Sequence, residues 1–365
     1  MTIEHIETAI IGAGQAGLAT AYHLQRRGRR YLILDSNANV GDNWRTHWDS
    51  LRLYSPAGSD GLPGLPFPGP RWSYPTKDQV ADYLAAYAER FELRVRPSTH
   101  VNRLEAANGR YQLHLGEDRI VAQNVVVATG TFGRTPRIPD FALDLDPSIR
   151  QLHSSEYRKP AQLKPGPVLV VGASHSGTDI AFEVAPTHPT ILAGRDPGQM
   201  PVRLDHWSAR LFWPAFLFLG KHVITRRTPI GRRAMDEIRF HGGPMLRVKR
   251  SDLKARGVER VQDRVTGVRD GRPVLDGDRG VDVANVVWCT GFRQVFDWID
   301  LPIFGGDGWP REMRGVVPDA PGLFFCGLAF QYAFSSMVLP GVGRDADYVA
   351  QQINTRVGRA LALAA

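Results

Sequence analysis

The stretch ETAIIGAGQAGLATAYHL at residues 7–24 decides the fold of this chain, because it joins a buried strand, a glycine turn and a helix. The apolar run before Gly12 is typical of a parallel strand that is covered on both faces. Gly12, Gly14 and Gly17 have the spacing that lets a dinucleotide pyrophosphate approach the backbone. The next strand, YLILDS, ends in Asp35, whose carboxylate is placed to accept hydrogen bonds from an adenosine ribose. The sequence therefore predicts FAD at the first turn.

A second turn of related design lies in GPVLVVGASHSGTDIAFEV at residues 166–184, with Ser174 where the first turn has its central glycine. The strand that follows leads to Arg195, and a guanidinium at that position suits a 2′-phosphate. Ser174 is expected to donate its hydroxyl to a phosphate. The predicted NADPH contacts are Gly172, Ser174, His175, Ser176, Gly177 and Arg195, with capping of the helix as the alternative role for His175 and Ser176.

The composition is that of a folded protein large enough for two domains, with 365 residues, 43% hydrophobic and 22% charged. The net charge of +8 favours anionic cofactors without requiring nucleic acid. Cys289 and Cys326 have neither redox nor zinc-site spacing, so a disulfide-reductase mechanism lacks its dithiol and a reducing, cytoplasmic location is the default. No metal site is predicted. The apolar segment at 211–220 is too short to span a bilayer and contains a proline.

The order of the segments predicts an α/β fold with two Rossmann-like dinucleotide-binding domains, the second inserted into the first. Residues 1–164 and 288–365 are assigned to the FAD-binding domain. Residues 165–287 are assigned to the NADPH-binding domain, with a basic and aromatic insert at about 197–250. The segments VVVATGTF at 125–132 and VVWCTGF at 286–292 are interpreted as the crossings between the two.

The irregular stretch at 41–75, rich in aromatic residues, proline and glycine, is too long for an ordinary loop and is expected to contact a ligand. Trp44 can wall a flavin ring system there, and Arg45 can meet a phosphate or the negative charge of a reduced flavin. A helix is predicted at 77–91 from its periodicity.

Together these segments resemble the flavin-containing monooxygenases, particularly their small bacterial members found near metal- or arsenic-resistance genes. The likeness runs nearly end to end. It rests on GAGQAG, GDNWRTHWDSLRLYSP, LPGLPFP, PTKDQVADYL, VVVATGTF, LHSSEYRKP, GASHSG, VVWCTGF and GVGRDADYVA. The resemblance implies that NADPH reduces FAD, that O₂ adds at the flavin C4a carbon, and that the (hydro)peroxyflavin oxygenates a soft nucleophile (S, N or As) or a carbonyl compound.

The resemblance also implies which residues hold the flavin. The expected FAD contacts are Gly12, Gly14, Gln15, Ala16, Gly17, Asp35, Trp44, Arg45, Val101, Thr129, Gly130 and Gly327. No catalytic residue is assigned, and Tyr54 and Arg45 are the candidates near the flavin.

Two departures from the family pattern bear on the chemistry. The family fingerprint keeps His153 and Tyr157, but Pro147 and Ile149 replace its Phe and Gly. Tyr54 stands where many eukaryotic members have an active-site asparagine. A hydroxyl in place of an amide predicts a different stabilisation of the oxygenated flavin, and a poorly coupled oxygenase stays an alternative.

Two further hypotheses about the function stay open, in addition to an oxygenase that acts on a small molecule and O₂. One is an NADPH-dependent flavin reductase that passes electrons to a protein acceptor. The other is a non-enzymatic redox-sensing flavoprotein, with the insert lying at a membrane surface rather than forming a substrate lid. The substrate, the strictness for NADPH over NADH and the oligomeric state, including a homodimer, are left open by the sequence.

Overall fold

The computed structural model describes residues 2–130 and 135–364. Its strands are β1 Ile3–Ile11, β2 Tyr31–Leu34, β3 Val95–Arg96, β4 Arg103–Ala107, β5 Arg110–Leu115, β6 Asp118–Val127, β7 Thr135–Pro136, β8 Arg150–His153, β9 Val168–Val171, β10 Thr190–Ala193, β11 Glu259–Val261, β12 Val265–Arg269, β13 Arg272–Leu275, β14 Arg279–Gly280, β15 Asn285–Trp288, β16 Phe292–Arg293, β17 Ile299–Asp300 and β18 Leu323–Phe325. Its helices are α1 Gln15–Arg26, α2 Asp42–Arg45, α3 Lys77–Arg90, α4 His175–Val184, α5 Ala209–Phe218, α6 Pro229–Phe240, α7 Arg250–Ala255 and α8 Leu339–Ala364. Shorter helical turns cover Ala57–Ser59, Asp140–Asp144, Pro160–Gln162, Leu219–Val223 and Phe334–Met337.

The first sheet is mixed and has the strand order β17-β4-β5-β6-β1-β2-β3, with β18 also paired to β6. Strands β1, β2, β3, β6 and β18 run parallel, whereas β4 and β5 form an antiparallel meander against the first half of β6. The parallel strands are built from nearly continuous apolar runs because α1, α3 and α8 cover one face and loops cover the other. The carboxyl ends of β1, β2, β6 and β18 therefore meet at one edge.

The second sheet is fully parallel, with the order β11-β10-β9-β15-β8. Its outer strand β8, residues Arg150–His153, precedes residue 165, where we placed the beginning of the second domain. Its strand β15 reaches Trp288, one residue beyond the predicted end at 287. The sequence pattern missed β8 because only His153 of its four residues is fully buried, so it carries no apolar run.

The two crossings between the sheets lie side by side. β7 pairs antiparallel with β16, with Phe292 opposite Pro136 and Arg293 opposite Thr135. His153 ties the second crossing to the second sheet, because its Nε2 lies 3.0 Å from the carbonyl oxygen of Gly291. The last two positions of the predicted first crossing, Thr131 and Phe132, lie outside the described residues.

The irregular stretch at 41–75 and the helix after it follow the sequence expectation. The stretch contains only the short α2 and one helical turn, and α3 begins where the periodic pattern begins. Thr76 caps α3 in a capping box, because its side chain accepts from the N–H of Gln79 while the Gln79 side chain accepts from the N–H of Thr76. Trp44 packs against the cores of both sheets and so joins them.

The insert forms a small layer of its own, made of α5, the turn at Leu219–Val223 and α6. Its core consists of Met200, Leu204, Ala209 and Trp213. This core rests on the irregular stretch, where Trp213 Nε1 donates to the Tyr74 hydroxyl at 3.1 Å. Among the described helices, none combines the length and the apolar character needed to cross a bilayer.

Candidate functional site

The first glycine turn has the geometry of a dinucleotide cradle. Gly12 has a φ of +109°, and a Cβ there would lie 2.6 Å from the carbonyl oxygen of Ala128. A Cβ at Gly17 would lie 1.9 Å from the carbonyl oxygen of Gly12, so α1 packs directly on the turn. At Gly14 a Cβ would have none of the described atoms within 4 Å. Two glycines are therefore required by packing, whereas Gly14 keeps a space open in front of the turn.

The N-terminus of α1 faces that space without a side-chain cap. Gly14 is the N-cap residue, and the first turn of α1 contains no acidic residue. By contrast, α3 and α6 of the same chain are capped by Thr76 and Thr228. The free N–H groups and the positive end of the helix dipole make this terminus suited to a phosphate group.

Asp35 lies against the first turn, as a ribose-binding carboxylate should. Its Oδ2 accepts from the N–H of Ala13 at 2.5 Å and its Oδ1 accepts from the N–H of Asn37 at 2.7 Å. The side chain is buried. These bonds fix the carboxylate beside the open space at Gly14.

The other predicted FAD residues at this edge also converge on the turn. A Cβ at Gly327 would lie 2.7 Å from the Cβ of Ala16, so the end of β18 touches the start of α1. Gln15 reaches the same C-terminal segment, because its Nε2 donates to the carbonyl oxygen of Met337 at 2.9 Å. Thr129 and Gly130 follow β6 at the same edge, and Gly130 has a φ of +88° with open space around it.

Val101 lies beyond the end of β2, on the side of Asp35. Its side chain is buried in the core of the first sheet, and Thr99 nearby donates its N–H to the Asp35 carbonyl at 2.7 Å. Within the described residues, the backbone groups of Val101 form no hydrogen bond with another backbone group, whereas Asn102 bonds to His114. Its N–H and C=O are thus free to recognise a base edge.

Arg45 pairs with two carboxylates. Its guanidinium donates to Asp42 Oδ1 at 3.0 Å, to Asp82 Oδ1 at 2.8 Å and to the carbonyl of Val40 at 3.1 Å. The hydrogen bond with Asp82 raises the pKa of Arg45. Two carboxylates already neutralise this charge, and the side chain ties α2 to α3; the contact of Arg45 with a phosphate or the flavin stays a prediction. Sequence reasoning missed this because Asp82 lies 37 residues away.

The second turn repeats the packing of the first. Gly172 has a φ of +104°, and a Cβ there would lie 2.4 Å from the carbonyl oxygen of Cys289. A Cβ at Gly177 would lie 1.7 Å from the carbonyl oxygen of Gly172. α4 has no side-chain cap and no acidic residue in its first turn. The two turns are therefore equivalent at their first and third positions.

The two turns differ at the central position, where the second turn has Ser174 in place of a glycine. The Ser174 hydroxyl donates to the carbonyl of Gly243 at 2.8 Å, so it bonds within the protein here, and its bond with a phosphate stays a prediction. His175 lies under the same segment, where a Cβ at Gly243 would approach its Nε2 to 2.8 Å. Burial lowers the pKa of His175 to about 4, partly offset by a hydrogen bond with the backbone of Pro244. The histidine is thus neutral and packed beneath the insert, while Ser176 is only half-buried in the first turn of α4.

Arg195 lies at the end of β10, where the strand pattern predicted it. Its side chain is more than half exposed, and its Nη2 is 3.4 Å from Glu237 Oε1 on α6. Asp196 beside it pairs with Arg250 at 2.6 Å. A loose ion pair with one exposed carboxylate leaves most of the guanidinium accessible to an anion.

A buried polar network joins the irregular stretch to α4, and the sequence analysis did not find it. The Tyr54 hydroxyl donates to Asp179 Oδ2 at 3.0 Å, and Arg247 Nη2 lies 3.1 Å from the same oxygen. Asp179 is only 2% exposed. Burial raises its pKa, and Arg247 and Tyr54 oppose that rise. The available sequence signal was a carboxylate within the apolar GTDIAFEV of a buried helix.

Comparisons with known proteins agree with this geometry. Residues 9–196 match the profile of the family described as pyridine nucleotide-disulphide oxidoreductase. The chain is 34% identical to an uncharacterized CzcO-like oxidoreductase of Geobacillus kaustophilus, covering 96% of this chain and 99% of that protein. It is 35% identical to the indole-3-pyruvate monooxygenase YUCCA1 of Oryza sativa subsp. japonica, covering 94% of this chain and 90% of that protein. The chain belongs to the flavin-containing monooxygenase family.

A solved structure supports the same family. The flavin-containing monooxygenase from Stenotrophomonas maltophilia superposes with a TM-score of 0.75 at 25% identity, covering 97% of this chain and 99% of that one. This flavin-containing monooxygenase is thus an α/β oxidoreductase whose first sheet is mixed and whose second sheet is parallel.

The two cysteines of this flavin-containing monooxygenase are unsuited to the disulfide chemistry after which the matching profile is named. Both are free thiols. Burial raises the pKa of the Cys326 thiol to about 12 and that of Cys289 further still. A thiol of raised pKa is a poor nucleophile, and the two cysteines also lack the spacing of a redox dithiol.

Replacing Tyr54 with phenylalanine is expected to lower the free energy of unfolding by about 2 kcal/mol, because the hydrogen bond lost is one to a buried carboxylate. Denaturant unfolding of this flavin-containing monooxygenase measures the loss. Tyr74→Phe is the matched control, since its hydroxyl accepts from a neutral indole and about 1 kcal/mol is expected. If Tyr54 acts only by holding Asp179, product formed per NADPH consumed stays unchanged in Tyr54→Phe; a fall in that ratio would instead place the hydroxyl beside the reacting atoms.

Proposed function

We propose that this protein is an NADPH- and O₂-dependent flavoprotein monooxygenase. It acts on a small soft nucleophile, at sulfur, nitrogen or arsenic, or on a carbonyl compound. The observation that carries the proposal is the pair of uncapped helix N-termini behind two glycine turns, one beside a carboxylate and one beside a guanidinium. When bound, FAD supplies the electron transfer from NADPH and the reaction with O₂.

The residues at the first turn fit FAD. The open space at Gly14 accommodates the pyrophosphate, which the free N–H groups at the start of α1 bind. Asp35 accepts from the adenosine ribose, and the free backbone of Val101 recognises the adenine edge. Thr129, Gly130, Gly327 and Gln15 border the same space, so the dinucleotide lies along the edge where β1, β6 and β18 end.

The residues at the second turn fit NADPH, with the pyrophosphate at the start of α4 and Arg195 on the 2′-phosphate. The segment at Gly243 covers the turn through its bond with Ser174. We propose that this segment moves away when NADPH binds, so that the Ser174 hydroxyl exchanges its carbonyl partner for a phosphate oxygen. The neutral ring of His175 then lies beside the ligand without adding charge.

The division of the strands into two sheets supports the domain assignment. We propose that the NADPH-binding domain extends from β8 to β15, about 15 residues earlier than the sequence pattern placed its start. The FAD-binding domain comprises the chain on either side. β7 and β16 form the double connection between them.

The test is anaerobic reduction of the purified flavoprotein by NADPH and by NADH, followed by mixing with O₂ and candidate sulfides, amines, arsenicals and ketones. We expect faster reduction by NADPH and formation of oxygenated product in proportion to the NADPH consumed. Rapid NADPH oxidation that yields only hydrogen peroxide with every substrate contradicts the proposal. Faster reduction of an added protein acceptor than of O₂ favours the flavin reductase instead.

Replacing Arg195 with alanine is expected to raise the KM for NADPH about 10- to 100-fold and to leave that for NADH unchanged, because a charge-assisted bond to phosphate contributes about 1.5–3 kcal/mol. Steady-state kinetics with both nucleotides measure the change. Glu237→Gln removes the competing carboxylate and should lower the KM for NADPH or leave it unaltered. Arg110→Ala, an exposed arginine on β5, is the control. Equal effects of Arg195→Ala on the two nucleotides would remove Arg195 from the 2′-phosphate site.

A further inference from the structure

The positive charge of this protein is concentrated in one segment. Residues 197–250 contain 11 lysines and arginines against three acidic residues, an excess of eight. This equals the net charge of +8 for the whole chain, so the remaining residues carry 34 basic and 34 acidic side chains. The insert therefore carries the net positive charge, whereas the basic and acidic side chains of the remaining residues are equal in number.

The outer face of α5, with the turns on either side of it, is apolar and uncovered. Trp207, Leu211 and Phe218 are 64%, 70% and 59% exposed. Leu211 and Phe218 are seven residues apart and so lie on one side of the helix, opposite the buried Trp213, whereas Trp207 lies in the turn before it. Leu219 extends the stripe into the following turn, where it is 44% exposed. Single exposed apolar residues are ordinary, but a continuous stripe of this kind marks an interaction surface.

Cationic side chains lie on the same insert as this stripe. The exposed Arg210 precedes Leu211 on α5, and the half-buried Lys221 follows Leu219 by two residues. Arg232 and Arg233 are exposed on α6, and within the described residues neither forms an ion pair with a carboxylate. Apolar side chains beside unpaired cations are the composition of surfaces that lie on anionic bilayers, with the cations at the headgroups.

The inner side of the insert packs against the rest of the protein. Phe216 on the inner side of α5 packs edge-on against Phe334, with ring centroids 5.7 Å apart. Arg226 pairs with the buried Glu312 and donates to the carbonyl of Gln331 at 3.0 Å. The inner side of the insert is therefore held by the rest of the protein, and its outer side faces away from these contacts.

We propose that this stripe, with the exposed arginines of the same insert, docks the protein peripherally on an anionic lipid surface. The apolar side chains enter the boundary between headgroups and acyl chains, and a tryptophan is well suited to that depth. The stripe is the convex side of a helix rather than a groove, which fits a bilayer better than a folded acidic partner. The inference does not depend on the reaction catalysed, since it concerns a face outside both nucleotide turns.

The experiment is flotation of the flavin-loaded full chain with vesicles of phosphatidylcholine alone and with vesicles containing phosphatidylglycerol. The wild-type protein is expected to float with the anionic vesicles and to stay behind with the neutral ones. Salt at about 0.5 M should weaken its binding by about an order of magnitude. Leu211→Ser with Phe218→Ser is expected to weaken binding at least about tenfold. Arg232→Gln with Arg233→Gln should weaken it about fivefold per charge.

Matched controls separate docking from damage to the fold. Leu143→Ser removes an apolar side chain that is 91% exposed outside the insert, and Arg110→Gln with Arg150→Gln removes two exposed charges elsewhere; both should float like the wild type. All variants should keep their flavin and their Tm. A wild-type protein that does not float, or that binds neutral vesicles equally well, overturns the proposal. So does a dimer in sedimentation that the Leu211→Ser, Phe218→Ser variant dissociates, because a second copy then covers the stripe.

Discussion

Replacing Gly14 with alanine is expected to give a folded protein that binds FAD much more weakly. No atom of residues 2–130 or 135–364 lies within 4 Å of a Cβ at this position, and the φ of −77° is open to alanine. The cost to the fold is limited to the weaker N-cap, about 1 kcal/mol. The methyl group, however, occupies the space through which a pyrophosphate approaches α1, and such overpacking costs about 1–3 kcal/mol or more. We expect FAD to bind about 10- to 100-fold more weakly, measured by flavin fluorescence during titration of the apoprotein.

Two companion variants identify the cause. Gly17→Ala should instead destabilise the apoprotein by about 3 kcal/mol, because its Cβ would lie 1.9 Å from a backbone oxygen. Gly358→Ala, on the exposed side of α8 with no described atom within 4 Å of its Cβ, should leave flavin affinity unchanged and raise stability by about 0.5–1 kcal/mol, as expected for alanine in place of glycine in a helix. Unaltered flavin affinity in Gly14→Ala would show that no ligand approaches the turn there.

Replacing Asp60 with asparagine is expected to make the protein more stable at alkaline pH. The side chain is 0% exposed, and among the described residues only one of its carboxylate oxygens has a partner, the Ser55 hydroxyl at 2.6 Å. Burial raises the pKa of Asp60 to about 7, with the Ser55 hydrogen bond opposing the rise. The folded state therefore retains a proton that the unfolded chain releases near about pH 4.

The sign of the pH dependence follows from this difference. Between about pH 4 and pH 7 the folded state binds more protons at Asp60 than the unfolded state, so the contribution of Asp60 to stability falls as the pH rises through that window. Over about three pH units the loss approaches about 4 kcal/mol. An asparagine side chain at this position carries no charge at any pH, so the free energy of unfolding of the variant does not fall for this reason.

Urea unfolding of the wild type and Asp60→Asn at pH 4.5, 6 and 8 measures this difference. The two proteins should be nearly equal at pH 4.5, and the variant should gain progressively on the wild type as the pH rises. Asp319→Asn, a change at an exposed carboxylate, should show no such trend. A constant difference between Asp60→Asn and the wild type at all three values would mean that the buried carboxyl does not titrate in this range.

Much of the fold was predictable because it depends on local patterns. The apolar runs before Gly12 and Gly172 predicted β1 and β9, and the periodicity at 77–91 predicted α3 almost to the residue. The strand β8 was missed because it is half exposed and pairs with β15, about 135 residues later. A strand of four residues without an apolar run has no local signal, and its pairing is a tertiary property.

The candidate site divides in the same way. The sequence by itself determined the two glycine turns, the carboxylate of Asp35 and the position of Arg195, since each depends on the spacing from a neighbouring strand. Only the tertiary structure decided that Arg45 is neutralised by Asp42 and Asp82 and that Ser174 bonds to Gly243. The physical reason is that backbone turns are specified by residues close in the chain, whereas the partner of a polar side chain is whichever group folding brings within about 3 Å.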